Sequence, residues 1–173
     1  MVVNVDAIVV VDMINVFVSG KMGSERYRDI PRNIKDIIVK LNKITFLVQD
    51  SHVPTDPEIK IWGPHAMDGS FEAETVPELK GMGIIIKKST YDAFFGTDLE
   101  NRLKEAGATN ILFCGLVTDI CIQNTVASAF FRGFNPIVVK ECTDSVDDFT
   151  RDYSLSYMER IYGAKIISKT DIS

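Results

Sequence analysis

Asn110-Ile111-Leu112-Phe113-Cys114-Gly115-Leu116-Val117-Thr118-Asp119-Ile120-Cys121 is the stretch on which the fold turns. Its apolar first half reads as a buried strand, and the residues from Val126 to Phe131 beyond it read as a helix. Cys121 therefore falls at a strand-to-helix turn. Thr118 or Asp119 is placed to cap that helix, and the first-turn amides and the positive end of the helix dipole face whatever occupies the turn. A thiol at such a position is expected to ionise more readily than a free one, whose pKa is about 8.5.

Outward from this stretch the same alternation repeats. Val5 to Val11 is a β-branched apolar run ending in Asp12, the pattern of a parallel strand buried on both faces. After Pro31, Ile34, Ile37, Ile38 and Leu41 recur at helical spacing. Strands are expected at Ile44–Val48, Ile84–Ile86, Asn110–Leu116, Pro136–Val139 and Lys165–Ser168. Helices are expected after Thr97 (with Leu99 and Leu103), over Asp119–Arg132, and from Asp148 to Ile161. Strands alternating with helices specify an α/β fold: three layers, doubly wound and Rossmann-like, with a mainly parallel six-stranded sheet and helices on both faces. Ligands of such sheets bind beyond the carboxyl ends of the strands, where Asp12, Asp50, Lys88 and Gly115 all fall. No glycine-rich phosphate loop follows any strand, so nucleotide binding is not expected. Residues 50–80 carry four prolines and no clean periodicity, and a loop of that length in a compact domain usually has a function.

A chain of 173 residues is expected to form a single domain over 1–173. The net charge of −5 is spread without blocks of one sign, which argues against nucleic acid as a partner. Met1 to Val11 is apolar but short and carries Asp6, so it reads as a first strand rather than a signal peptide. No apolar run is long enough to span a bilayer, and no membrane partner is expected. The three cysteines, widely and irregularly spaced, do not make a disulfide framework; this agrees with a reducing, cytoplasmic location.

Cys114 and Cys142, inside and after strands, read as small buried hydrophobes. Cys121 is different because an acid and a cation end other strands. Asp12 can take the thiol proton as general base, and Lys88 can hold Asp12 ionised and stabilise the thiolate. The only two histidines lie in the long loop: Asp50 and His52 are two apart, so an extended segment presents them on one side, and His65 follows in Trp62-Gly63-Pro64-His65. Two histidines and a carboxylate suit zinc, iron or manganese; two surface histidines in a polar loop is the plainer alternative.

These motifs resemble the isochorismatase-like cysteine hydrolases, the superfamily of nicotinamidases, N-carbamoylsarcosine amidases and isochorismatases. Four elements match in order over nearly the whole chain: Val9-Val10-Val11-Asp12-Met13-Ile14-Asn15-Val16-Phe17, Asp50-Ser51-His52 with Trp62-Gly63-Pro64-His65, Lys88-Ser89-Thr90-Tyr91-Asp92-Ala93-Phe94, and Gly115-Leu116-Val117-Thr118-Asp119-Ile120-Cys121. The resemblance implies Asp12, Lys88 and Cys121 as catalytic residues and a cis peptide at Leu116-Val117. It also implies an oxyanion hole from the amides of Val117 and Cys121, a substrate pocket with Phe17, Trp62 and Tyr91, and a divalent metal, zinc first, on Asp50, His52 and His65.

The implied reaction is hydrolysis of a small amide with release of ammonia through a thioester, in the manner of a nicotinamidase. The alternatives are hydrolysis of a ureido compound in the manner of an N-carbamoylsarcosine amidase, isochorismate ether hydrolysis, or a non-catalytic member that binds small molecules or senses redox state. Ser51, Ile14 and Asp92 depart from the usual nicotinamidase residues, and the short Lys88–Tyr91 spacing is that of the other branches. The resemblance further implies a homo-oligomer. Phe130, Phe131 and the stretch Tyr153 to Tyr162 offer apolar contacts for one, although burial in the monomer core would account for them equally well.

Overall fold

The computed structural model describes residues 3–172, so Met1, Val2 and Ser173, the outermost residues of the first apolar stretch and of the 1–173 span, lie outside it. Six strands form one all-parallel sheet: β1 (Ala7–Val11), β2 (Ile44–Asp50), β3 (Ile84–Lys88), β4 (Asn110–Leu116), β5 (Asn135–Asp144) and β6 (Lys165–Ile167), in the order β3-β2-β1-β4-β5-β6. The order reverses direction between β1 and β4, which makes that pair the switch point where a crevice opens above the carboxyl ends.

The period of two decides both faces of the sheet. Ala7, Val9 and Val11 of β1 point to the side covered by α4 (Leu99–Glu105), α5 (Gln123–Phe131) and α6 (Asp148–Tyr162). Ile8 and Val10 point to the side covered by α2 (Ile30–Leu41), whose Ile30, Ile34, Ile37 and Ile38 are buried. Since strands buried on both faces cannot alternate polar with apolar, β1 and β4 read as continuous apolar runs. Two shorter helices, α1 (Asn15–Val18) and α3 (Pro57–Trp62), follow β1 and β2 at the carboxyl end. None of the described helices is long and apolar enough to cross a membrane.

Several local expectations are revised. The segment 50–80 is not bare loop: it holds α3 and two single 3-10 turns, tied down where the His52 amide donates to the Ala66 carbonyl (2.9 Å) and the Asp68 amide to the His52 carbonyl (2.9 Å). β5 runs five residues beyond Val139, because its outer half continues the pairing past a register shift opposite Phe113 and Gly115. The helix expected over Asp119–Arg132 begins with one π-helical turn, Thr118–Ile122, before α5. Neither Thr118 nor Asp119 caps it. The Thr118 hydroxyl pairs with the Thr143 hydroxyl (2.7 Å), and the Asp119 carboxylate accepts from the Ser145 hydroxyl (2.5 Å), so both side chains bind the turn to β5 instead. Thr97 does accept from the Leu99 amide (3.3 Å), one residue ahead of the formal cap at Asp98.

Phe130 and Phe131 are not core residues: they are 45% and 72% exposed, and Tyr153 is 57% exposed. Each sits on the outer face of a helix whose inner face is already filled by Val126 and Ala129 or by Leu155 and Met158.

Candidate active site and metal centre

Gly115 is what lets the switch point close. It lies opposite Val11 with φ +124°, and a Cβ there would come within 1.9 Å of the Val11 carbonyl oxygen, so no other residue fits without parting β1 from β4. That close approach sets Asp12, one residue past β1, beside the turn that carries Cys121. Asp12 itself adopts φ +55°, a left-handed conformation uncommon for a residue with a side chain and of a kind that collects at functional sites. The Leu116–Val117 peptide bond is cis.

Three strand ends then meet in a fully buried cluster. Lys88 Nζ lies 2.7 Å from Asp12 Oδ2, hydrogen-bonds Asp50 Oδ1, and stands 3.9 Å from Cys121 Sγ. The parallel register that sets Asp50 opposite Lys88 makes the second contact, and the Asp50 amide donates to Asp12 Oδ1 (2.9 Å). The Asp12 carboxylate lies near enough to the Cys121 thiol to oppose its ionisation. Lys87, the neighbouring lysine, points the other way and pairs with Asp68 at the surface.

Charge governs what this cluster can do. Burial and the neighbouring Asp50 push the Asp12 carboxyl up to about 6, against the pull of Lys88. Burial also pushes Asp50 upward, but Lys88 and His52 together outweigh it and hold Asp50 below the usual carboxylate range. Lys88 is driven the opposite way: burial favours its neutral form, and Asp12 and Asp50 overcome this and keep it protonated. The expectation of a thiol more acidic than a free one is not met. Desolvation pushes Cys121 well above the ordinary thiol value and the two carboxylates add to the rise, while Lys88 alone opposes it. At rest the proton sits on sulfur, beside a base.

A second cluster adjoins the first through Asp50. One donor atom from each of Asp50, His52, Glu58 and His65 can be chosen so that all four lie within 4.8 Å of one another, and all four residues are buried. Glu58 has no counterpart among the residues singled out from the sequence. Its signal is Asp56-Pro57-Glu58: proline at the first helical position starts α3 there and points the next residue back toward β2.

The donor set fits a divalent cation on three observations. Asp50 Oδ2, His52 Nε2 and Glu58 Oε1 are buried without a hydrogen-bond partner, which is costly unless something else satisfies them. His52 Nδ1 is engaged by Asp56 Oδ2 (3.1 Å) and His65 Nδ1 by the Gly63 carbonyl (2.8 Å), the second partners that hold a ligating histidine with its Nε2 lone pair inward. Finally, with Asp12, Asp50 and Glu58 ionised against Lys88, the buried groups carry an excess of two negative charges. Without a cation, burial and Asp50 push Glu58 up to about 7.

Against both clusters lies a cavity of about 280 Å³ whose lining includes Cys121, Asp50, Glu58 and His65. Phe17, Trp62 and Tyr91, singled out from the sequence, all line it; Met22, Tyr27 and Val146 complete walls that sequence reasoning missed, because they come from loops without periodic signal. Trp62 Nε1 donates to the Tyr91 hydroxyl (2.9 Å), joining two walls, and the Phe17 ring meets His65 edge-on at 5.9 Å. Among the described residues no lysine or arginine lines the cavity.

Comparison with known proteins agrees with this arrangement. The isochorismatase domain model matches residues 6–171. The crystal structure of N-carbamoylsarcosine amidase from Thermoplasma acidophilum superposes with TM-score 0.89 at 31% identity, covering 98% of this chain and 99% of that one. Nicotinamidase PncA from Bacillus subtilis superposes with TM-score 0.88 at 25% identity, covering 95% of this chain and all of that one. Nicotinamidase 3 of Arabidopsis thaliana is 27% identical over 157 residues, 86% of this chain and 78% of the relative. With nearly its whole length matched and an acid, a lysine and a cysteine meeting at the β1/β4 switch point, the chain belongs to the isochorismatase family and is a hydrolase of that family.

Proposed function

We propose that this protein is a cysteine amidohydrolase that cleaves the carbon–nitrogen bond of a small, uncharged, flat amide and releases ammonia, in the manner of a nicotinamidase. The observation that carries the reading is the cavity: its lining brings together the Cys121 thiol, three of the four candidate metal donors (Asp50, Glu58 and His65), and aromatic and aliphatic walls without a lysine or arginine among the described residues.

In this mechanism Cys121 passes its proton to Asp12 as the sulfur attacks the amide carbonyl, and the developing oxyanion is received by the amides of Val117 and Cys121. Asp12 then delivers the proton to the departing nitrogen, giving ammonia and a Cys121 thioester. Water, deprotonated by Asp12, cleaves the thioester to the acid and restores the thiol. Lys88 remains protonated throughout and favours the ionised form of Asp12 at the moment it must accept the proton.

Asp50, His52, Glu58 and His65 would hold the metal, which supplies a Lewis-acidic anchor for a lone pair of the substrate. A set of two imidazoles and two carboxylates suits zinc first, with iron and manganese accepting the same donors. Elemental analysis of the purified protein decides among them.

A second reading, hydrolysis of a ureido acid, is favoured by the 31% identity to N-carbamoylsarcosine amidase. Against it, the carboxylate of such a substrate would meet no guanidinium or ammonium in the cavity lining. The deciding experiment measures ammonia release from nicotinamide, pyrazinamide and N-carbamoylsarcosine, each with and without chelator. Metal-dependent release from the first two supports the primary reading. Release from N-carbamoylsarcosine alone transfers the assignment to the second, and release from none of them, with Cys121 still selectively alkylated, would leave a binding or redox-sensing member.

A further inference from the structure

Two walls of the cavity come from connections rather than from strands, and one guanidinium joins them. Met22 and Tyr27 belong to the connection between α1 and α2, and Val146 to the one between β5 and α6. Tyr27 is buried, whereas Val146 is 71% exposed and so lies where the cavity meets water. Arg26 spans the gap: its Nε donates to the Ser145 carbonyl (3.0 Å), and its Nη2 to Asp144 Oδ1 (2.8 Å) and Asp148 Oδ1 (2.7 Å). Local structure prepares both sides for this contact. Ser24 accepts from the Arg26 amide (3.3 Å) and so starts a 3-10 turn over Glu25–Tyr27, which sets Arg26 and Tyr27 at fixed positions. Across the gap, Asp144 ends β5 opposite Leu116 and accepts from the Ser145 amide (2.8 Å), while Asp147 caps α6 by accepting from the Thr150 amide (2.7 Å). Val146 is thus held between two anchored neighbours. Because the Ser145 hydroxyl also donates to Asp119, a continuous line of polar contacts runs from Arg26 to the turn that carries Cys121.

We propose that Arg26 is a specificity-determining residue that acts through the walls it joins, fixing how large a molecule the cavity admits to the Cys121 thiol. Neither wall has a strand or α-helix of its own to hold it, and segments of that kind are the first to open. Among the described residues the contacts of Arg26 are the only hydrogen bonds and ion pairs between the two connections. The planar fork suits the task, since one head group serves a carbonyl and two carboxylates at once, which an ammonium on a flexible stem does less rigidly. With Arg26 in place, a cavity of about 280 Å³ fits an amide carried on a single ring. Naming that size class rests on the amidohydrolase reading above; the role of Arg26 in admitting molecules to Cys121 does not.

Alkylation of Cys121 tests it without any substrate, because Cys114 and Cys142 are fully buried and do not line the cavity. Rates with iodoacetamide, N-methylmaleimide and N-pyrenylmaleimide are measured on the full-length wild type, Arg26→Ala, Arg26→Lys and Arg28→Ala, with Cys121→Ala as the blank, and each is divided by the rate on a free thiol. The wild type should prefer the methyl over the pyrenyl reagent more strongly than the free thiol does. Arg26→Ala should cut that preference about fivefold or more, as release of a charge network rather than of one exposed pair would, with the iodoacetamide rate within about twofold of wild type. Arg26→Lys should fall between the two. Arg28→Ala, whose partner is Glu25 of its own turn, should match the wild type. Salt at about 1 M, where the Debye length is about 3 Å, should move the wild type toward Arg26→Ala and leave that variant unchanged. On an amide that the protein hydrolyses, Arg26→Ala should raise KM more than it lowers kcat. A wild type no more selective than the free thiol, an unchanged preference in Arg26→Ala, or equal acceleration of every reagent with labelling of Cys114 and Cys142, the mark of general loosening, overturns the proposal. The alkylation result stands whether or not any amide releases ammonia, so the two readings fail separately.

Discussion

Two aspartates bracket the same strand and do opposite work. Asp6 precedes β1 and Asp12 follows it, with five apolar residues between them. Asp6 Oδ2 accepts from the amide (2.8 Å) and side chain (2.9 Å) of Asn110 and from the amide and hydroxyl of Thr109 (both 3.1 Å), all neutral donors from the start of β4. Those bonds, the Asn110 amide first, hold its carboxyl below the usual range. Asp12 is fully buried, with a left-handed backbone, another carboxylate beside it and a raised pKa. The amino end of the sheet holds its acid ionised among neutral donors, whereas at the carboxyl end the acid shares one ammonium with a second carboxylate and keeps a raised affinity for a proton, as the proposed base requires. A left-handed backbone and crowded negative charge mark the end assigned the chemistry; saturation of hydrogen bonds marks the end that joins β1 to β4.

The contrast can be attacked from several directions, beginning where the effect should be greatest. Cys121→Ala should abolish ammonia release, and Asp12→Asn should lower turnover by about 100- to 10,000-fold, the range that a positioned acid–base group contributes. Both variants should remain folded by circular dichroism. If Asp6→Ala lost as much activity as Asp12→Asn at full stability, the two ends would not differ in the way described.

Glu58→Gln removes one charged donor of four and should weaken metal binding by no less than the roughly 10- to 100-fold that loss of an outer-shell partner costs, read by competition with a chelating dye. An unchanged affinity would remove Glu58 from the centre.

The pH profile probes the raised acid directly. Asp12 must be ionised to accept the thiol proton, so kcat/KM should fall about tenfold per pH unit below an inflection at or under about 6. A metal that neutralises Asp50 removes part of the cause of the rise and moves the inflection down, not up. An acid limb centred well above 6 would contradict the assignment.

The smallest expected effect belongs to Asp6. Its carboxyl is more acidic in the folded state than in the unfolded one, so its contribution is present above the unfolded value near 3.8 and disappears as the pH falls through the folded value. Asp6→Ala should cost about 1–3 kcal/mol at neutral pH, the worth of hydrogen bonds to a charged group. The difference should shrink on acidification, measured by urea denaturation at a series of pH values.

Much of this was legible in the chain because strand and helix periods survive in local sequence. β1, β2 and β4, the amphipathic helix α2 and the motif residues Asp12, Asp50, Lys88 and Cys121 are all marked by runs whose spacing no other element would need. Glu58 was missed because a carboxylate six residues beyond His52, in a loop rich in proline, carries no period. Only the short helix begun by Pro57 turns it inward. Val146 and Met22 were missed for the same reason, being wall residues supplied by connections. The capping role expected of Thr118 and Asp119 failed because β5 runs longer than its apolar core suggests. Its extra residues, Thr143 at the strand's outer end and Ser145 just past it, compete for both side chains.

By itself, then, the sequence determined the alternation of elements, the parallel sheet, and which acid, lysine and thiol stand at strand ends. These are properties of local pattern and of the fixed hand of the crossovers. The tertiary structure alone decided how those ends share charge. The register of Asp50 against Lys88 and the contact at Gly115 bring two carboxylates against one ammonium, the turn of α3 adds Glu58 beside Asp50, and that burial puts the Asp12 carboxyl near 6 and the Cys121 proton on sulfur. Ionisation depends on what surrounds a group in space at low dielectric, and spacing along the chain does not encode it.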